Sequence, residues 1–283
     1  MAPLGPDTLA RVSERFSTST PSTIPFVSLD NMMFHIERAK LERAADFAPP
    51  AGVHSSPTEP VRLQELSPVL ELLFRFVYCE IYIDLDPEPF DVVAQLAEAA
   101  EKYMVYSAIA VCRLYMKNQH KERPMNVMQY AAKYNYKDIL DLVAPYTVGK
   151  TQGVMQDILP ASLLLPWIAF DHQYQDVAQM TVNCFIALSE FHYDDYGKRF
   201  FNCQLGEKES ETWASLQRDV AYRLLSTGAL ALLDLQEVFP LSMSDNVKCD
   251  GCCAAIAYWE RETHEAVSEI KAFTTFCGSS TVG

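Results

Sequence analysis

The stretch IPFVSLDNMMFHIERAKLE, residues 24–42, sets the architecture of the first half of the chain. Residues 24–29 and 32–36 are two short strand-like runs on either side of Asp30-Asn31, whose side chains bond to nearby amides and tolerate unusual backbone angles. The segment therefore reads as a β-hairpin. Pro25 has no amide proton to give to a ladder, which points to an edge strand or a partly degenerate one. His35 alternates to the face opposite Phe34 and Ile36 and reads as an exposed or hydrogen-bonded structural histidine rather than a catalytic one. Residues 38–47 carry good helix formers, and Pro49-Pro50 ends that run.

Outward from the hairpin, residues 51–60 read as loop and 61–63 as a third short strand. Ser67-Pro68 combines a hydroxyl cap with a proline suited to the first helical turn, opening a helix to residue 77 that is apolar on several sides. Asp86-Pro87 reads as a second cap, for a helix to about Tyr103 with Val93, Ala97, Ala100 and Met104 on its inner stripe and Asp91, Gln95, Glu98 and Lys102 opposite. Helical patterns follow over 107–118, 126–134 and 137–148. Strands followed by a run of helices indicate an α+β fold over residues 20–148. Residues 1–19, rich in Ser, Thr and Pro, read as a flexible N-terminus.

Residues 149–153 carry two glycines and form the expected boundary. Residues 151–283 are expected to be all-helical, with Trp213, Leu216, Val220 and Leu224 on one helix face and Ile256, Trp259, Thr263, Val267 and Ile270 on another. This half holds 18 acidic and 8 basic side chains, a net of −10 out of −14 for the 283 residues. Any electrostatic preference for a basic partner belongs there. The acidic excess argues against a protein built to hold a nucleic-acid backbone. No run of about 18 apolar residues offers a membrane span. Asp7, Arg11, Glu14 and Arg15 interrupt what a secretory signal would need as its apolar core, so an intracellular location, cytoplasmic or nuclear, is expected. Eight cysteines are too sparse for a disulfide framework, and Cys79, Cys112 and Cys184 sit among apolar neighbours as small hydrophobes would.

The stretches VLELLFRFVY (residues 69–78), AEAAEKYMVYSAIAVC (97–112) and YAAKYNYKDILDLVAP (130–145), with MMFHIERAKLE (32–42) upstream, resemble the BTB/POZ-like proteins of mushroom-forming fungi (Agaricomycetes). LLLPWIAF (163–170) and CDGCCAAIAYWERETHEAVSEIKAFTTF (249–276) resemble the helical C-terminal region of the same proteins. The resemblance implies a BTB/POZ-like interaction domain at 20–148, with a small sheet and helical hairpins, followed by a helical domain at 151–283. It implies a non-catalytic protein that associates with itself or with another BTB protein. Some members join a cullin-based ubiquitin ligase to its substrate, which makes a cullin a further expected partner. The Pro25 strand departs from the acidic start usual in the family.

Two clusters are the candidates for chemistry. Cys249, Cys252, His264 and Cys277 include a C-x2-C pair of real zinc spacing. Yet Cys252 shares a stripe with Ile256 and Trp259, and intervals of 11 and 12 residues carry His264 and Cys277 more than three helical turns away from it. Core packing is the simpler reading, and Cys253 adds no new geometry. His192, Asp194 and Asp195, with Asp171 and His172, could make a metal or acid/base site. The setting of Tyr193, Tyr196 and the run 197–199 reads instead as a solvated loop. Lys137, Asp138, Asp141, Glu98, Glu101 and Lys102 read as helix-surface charges, and Tyr103 and Tyr106 as packing residues whose hydroxyls find polar partners. No phosphate loop, dinucleotide fingerprint, nucleophile elbow or zinc helix is present. No catalytic, cofactor or metal residue is assigned.

Overall fold

In a computed structural model the described residues are 11–44, 60–80, 82–190, 207–239 and 250–278. Packing divides the chain into two compact units, Met1–Asn118 and Gln119–Gly283. Helices that the sequence assigns to the α+β domain before its 149–153 boundary thus fall in the second unit.

The first unit is mixed α/β. Strands β1 (Arg11–Val12), β2 (Thr23–Val27), β3 (Met32–Glu37) and β4 (Val61–Arg62) form one sheet in the order β1-β3-β2-β4. β2 and β3 are the antiparallel hairpin, in register at Ile24↔Ile36 and Phe26↔Phe34, while β1 runs parallel to β3 and β4 parallel to β2. Asn31 takes a left-handed φ of 64° in the connecting turn.

β2 is a central strand, not an edge. Pro25 stands opposite His35, whose amide points away from β2 and donates to the Phe16 carbonyl at 2.8 Å. The pair is therefore one that exchanges no ladder bonds, and the missing proline proton costs that ladder nothing. Nor is the hairpin free to accept another strand. Along the outer side of β3, Ser13 donates its amide to Met33, Phe16 accepts from His35, and the Tyr78 hydroxyl accepts the Glu37 amide at 3.1 Å. Residues 11–16, inside the segment expected to be flexible, are what close this side.

Phe16 also supplies a core ring. It lies 5.8 Å from Phe74, 6.2 Å from Phe34 and 5.3 Å from Tyr78, and Phe74 in turn lies 5.5 Å from Phe26. Fully burying a ring of this size is worth about 1.5–3 kcal/mol, which is ample reason for a short polar segment to stay docked.

Four helices complete the unit: α1 (Arg38–Ala44), α2 (Ser67–Val77), α3 (Phe90–Lys102) and α4 (Tyr106–Asn118). The proline-rich end expected for α1 and the loop at 51–59 lie outside the described residues. Ser67 is not the cap of α2; it is the first helical residue, and Leu66 before it makes no side-chain cap bond. The acceptor comes from far away in sequence. Asp30, in the hairpin turn, takes the Ser67 amide at 2.8 Å and the Ser67 hydroxyl at 2.6 Å, satisfying a helix-start donor with a charge that also suits the helix dipole. Asp86 does not cap α3 either, since Phe90 is its first residue and Pro89 precedes it.

Two of these helices end without glycine. Cys79 (φ 52°) and Met104 (φ 56°) adopt the left-handed conformation. After α2 the Cys79 amide returns to Phe76 and that of Glu80 to Arg75; after α3 the Met104 amide returns to Glu101 and that of Val105 to Ala100. Both are Schellman ends. The left-handed turn sends Met104 outward, to 42% exposure, and the apolar stripe of Val93, Ala97 and Ala100 is continued by buried Val105.

In the second unit every described element is helical. α5 (Pro124–Lys133) and α6 (Lys137–Val143) form a hairpin turned at left-handed Asn135, and a 3-10 turn at Ala144–Thr147 follows. Then come α7 (Gln152–Gln156), α8 (Ala161–Glu190), α9 (Glu207–Thr227), α10 (Leu235–Val238) and α11 (Asp250–Ser268), with further 3-10 turns at Gly228–Leu233 and Phe273–Thr275. Trp167, Phe170, Tyr174 and Thr181 give α8 a buried stripe. Of the stripe expected on the last helix, Ile256, Trp259 and Thr263 are buried on α11, whereas Val267 is only half-buried and Ile270 lies beyond the end of the helix. Both indoles are satisfied: Trp167 donates to the Thr147 hydroxyl and Trp259 to the Thr181 carbonyl, each at 2.9 Å. Asp141 repeats the device of Asp30, taking both the amide and the hydroxyl of Thr274 at 2.7 Å.

Burial raises the Asp30 pKa, but bonds from Ser67 and Ser28 outweigh it and hold the carboxyl below the usual aspartate value. Its contribution is therefore present above that value and is lost as pH falls through the lowered one. Asp30→Ala is expected to cost about 1–2 kcal/mol at neutral pH, with the gap to wild type closing in acid. Urea melts across pH 2.5–7 measure this, and an equal gap throughout would refute the carboxylate as the active group.

Candidate interaction surface

Glu65 organises one region of the first unit. Its carbonyl accepts the Leu29 amide at 2.9 Å, and its carboxylate receives Lys102 at 2.8 Å and the Tyr103 hydroxyl at 2.7 Å. The chain follows from the Asp30 clamp, because fixing Ser67 against the hairpin turn places residue 65 beside it. Burial raises the Glu65 pKa, and the bonds from Lys102 and Tyr103 more than reverse that. The Glu65 bond holds the Lys102 ammonium above its usual value, and burial raises the Tyr103 phenol. This carboxylate is accordingly ionised and occupied by structural donors, and has no spare role in proton transfer.

Three apolar side chains flank this network and stay exposed: Leu29 at 66%, Leu66 at 39% and Met104 at 42%. Each is adjacent in sequence, or bonded through its amide, to a member of the Glu65 cluster. A polar, pinned centre with exposed apolar side chains next to its members is the kind of surface that contact with another macromolecule can use. Tyr103 meets expectation, being 8% exposed with its hydroxyl satisfied, whereas Tyr106 is 60% exposed and adds to the outward aromatic surface.

The residues singled out for chemistry are not brought together by what is described. His192, Asp194, Asp195 and Cys249 lie outside the described residues, as does the side chain of Cys252. His264 is exposed on α11, and Cys277 is half-buried near Phe273, with its thiol bonded to that carbonyl at 3.8 Å. Asp171 accepts the Gly149 amide at 2.7 Å, a structural task. Among the described residues no group of three or more His, Cys, Asp and Glu is placed to hold a metal ion. Cys112 is fully buried and its thiol is pushed up to about 12 by desolvation, with Glu101 adding to the shift. It behaves as the small hydrophobe expected of it. Cys79 does not, since its left-handed backbone leaves it exposed. Among the described residues no helix is long and apolar enough to cross a membrane.

The feature that sequence reasoning missed is a cavity of about 390 Å³ in the first unit, between residues 15–23, the His35 and Glu37 positions of β3, and Tyr78 with Glu80 after α2. Three of its lining residues, Arg15, Phe16 and Thr18, belong to the segment expected to be flexible. Only the buried Phe16, a lone ring in a polar run, hints at it in the sequence.

Tyr103→Phe is expected to cost about 1–2 kcal/mol, because a bond to a charged acceptor is lost. The loss should be largest above the usual glutamate pKa and shrink as pH falls through the lowered Glu65 value, which denaturant melts at pH 3 and pH 7 would read. Compared with protein families, curated proteins and solved structures, the chain matches none.

Proposed function

We propose that the chain is a non-catalytic interaction protein whose first unit is a BTB/POZ-like association module and whose acidic helical second unit supplies a further docking surface. The observation that carries this reading is the exposed trio Leu29, Leu66 and Met104 around the Glu65 network. A small sheet followed by the helices α2 to α4 supports this reading, since the resemblance implies a small sheet with helical hairpins. Self-association is the form favoured, through side chains, because the outer side of the hairpin is taken up within the chain.

A stable specific interface removes about 1,200–2,000 Å² from water in total, so the trio would be its centre and not its whole extent. The narrower reading, a substrate adaptor for a cullin-based ubiquitin ligase, rests on the resemblance alone and is read by pulldown with the cullin.

Sedimentation of wild-type protein from about 1 to 200 μM is expected to show a dimer, and Leu29→Asp/Met104→Asp to weaken it at least about tenfold, as desolvating introduced charge at a contact centre requires. Circular dichroism checks that the variant is folded. A wild type that stays monomeric throughout would overturn self-association.

A further inference from the structure

The cavity beside β3 has an unbalanced set of charges. His35 and Glu37 project from the β3 face opposite Phe34 and Ile36, and the rings of Phe16 and Tyr78 contribute to the lining. Arg15 is the one cationic side chain of the lining, and it is already engaged, by Glu80 and, at 3.6 Å, by Glu71. Glu80 is doubly held, since Arg75 also reaches it at 2.8 Å. Burial raises the Glu80 pKa, but the bonds from Arg75 and Arg15 bring it below its usual value, so this carboxylate is ionised. Glu37 is different. It lines the cavity with no side-chain hydrogen bond or ion pair among the described residues.

An anion would meet two carboxylates, Glu37 and Glu80, and its one fully charged receiver, Arg15, is already committed to glutamates. A cation would meet the unpaired Glu37 carboxylate and an aromatic ring, with the hydroxyls of Thr20, Ser22 and Thr23 tied together at the rim. That Tyr78 attracts cations is visible already, because Lys40, from outside the lining, sits 5.6 Å from the ring centroid. The volume admits a planar head group with part of its stem.

We propose that this cavity receives the guanidinium of an arginine side chain carried by a partner polypeptide, with Glu37 as its counter-charge. Arginine fits better than lysine because its flat fork can engage the carboxylate and neighbouring oxygens together while lying against a ring. The proposal rests on the reading of the chain as an interaction protein and specifies the chemistry of one contact. It does not depend on self-association through Leu29 and Met104.

The full chain, with its backbone amides followed by NMR, is titrated with the peptide Ac-Gly-Arg-Gly-NH2, its citrulline isostere, Ac-Gly-Lys-Gly-NH2 and agmatine. The expected result is saturable shifts at residues 15–23, 35 and 37 with the arginine peptide, in about the millimolar range that a single charged contact supports. Citrulline should give none, and lysine should bind more weakly. Glu37→Gln, an exposed change that leaves the fold intact by its spectrum, should weaken the arginine peptide at least about fivefold, as loss of one charge-assisted contact implies. Shifts elsewhere, an equal response to citrulline, or unaltered binding by Glu37→Gln would each overturn the site. Agmatine binding more than about tenfold tighter than the peptide, a difference of about 1.4 kcal/mol, would overturn the polypeptide as its source. Wild-type protein that stays monomeric in the sedimentation experiment, with these shifts intact, would reject self-association and leave the cavity standing.

Discussion

The Asp30 carboxylate holds two donors of one residue, the amide and hydroxyl of Ser67, across 37 positions of sequence. Much of the first unit follows from that grip. It starts α2 against the hairpin turn, and the strand before it, β4, then runs parallel to β2 with the Leu63 amide reaching Val27 at 2.9 Å. Residue 65 is carried into place between them, where it can gather Lys102 and Tyr103 from the far end of α3. A single charged acceptor thus couples a turn, a helix start and a helix end. The desolvation it suffers is offset because each of its two oxygens accepts a bond from Ser67.

The second unit uses the same chemistry independently. Asp141 on α6 fixes the amide and hydroxyl of Thr274 and so anchors the last 3-10 turn, with Phe273 fully buried beside it. Read from sequence, Asp141 is an ordinary helix-surface charge. The difference lies in reach: a charge on a helix looks solvated unless the residue that will cover it is known, and here that residue is 133 positions later.

What was legible in the sequence is what local periodicity dictates. The hairpin about Asp30-Asn31, the short third strand, the inner stripe of α3 through Ala100 and the stripe of α11 all emerge from the alternation of apolar and polar residues. What escaped it depends on bonds between distant residues. Pro25 reads as an edge signal until the pairing phase with His35 is known. Ser67 reads as a cap because nothing local shows that its hydroxyl is donated to Asp30. Met104 fits the stripe by spacing alone, and only the left-handed residue that ends the helix turns it outward. The surface about Glu65 and the cavity were illegible for the same reason. The first needs α3 and the hairpin turn brought side by side, and the second needs a polar terminal run docked by one phenylalanine.

Among the described residues the order β1-β3-β2-β4 sets the two-residue strand β4 beside β2. So short a strand offers few consecutive amides on which a foreign strand could pair, next to interior strands rich in phenylalanine and isoleucine.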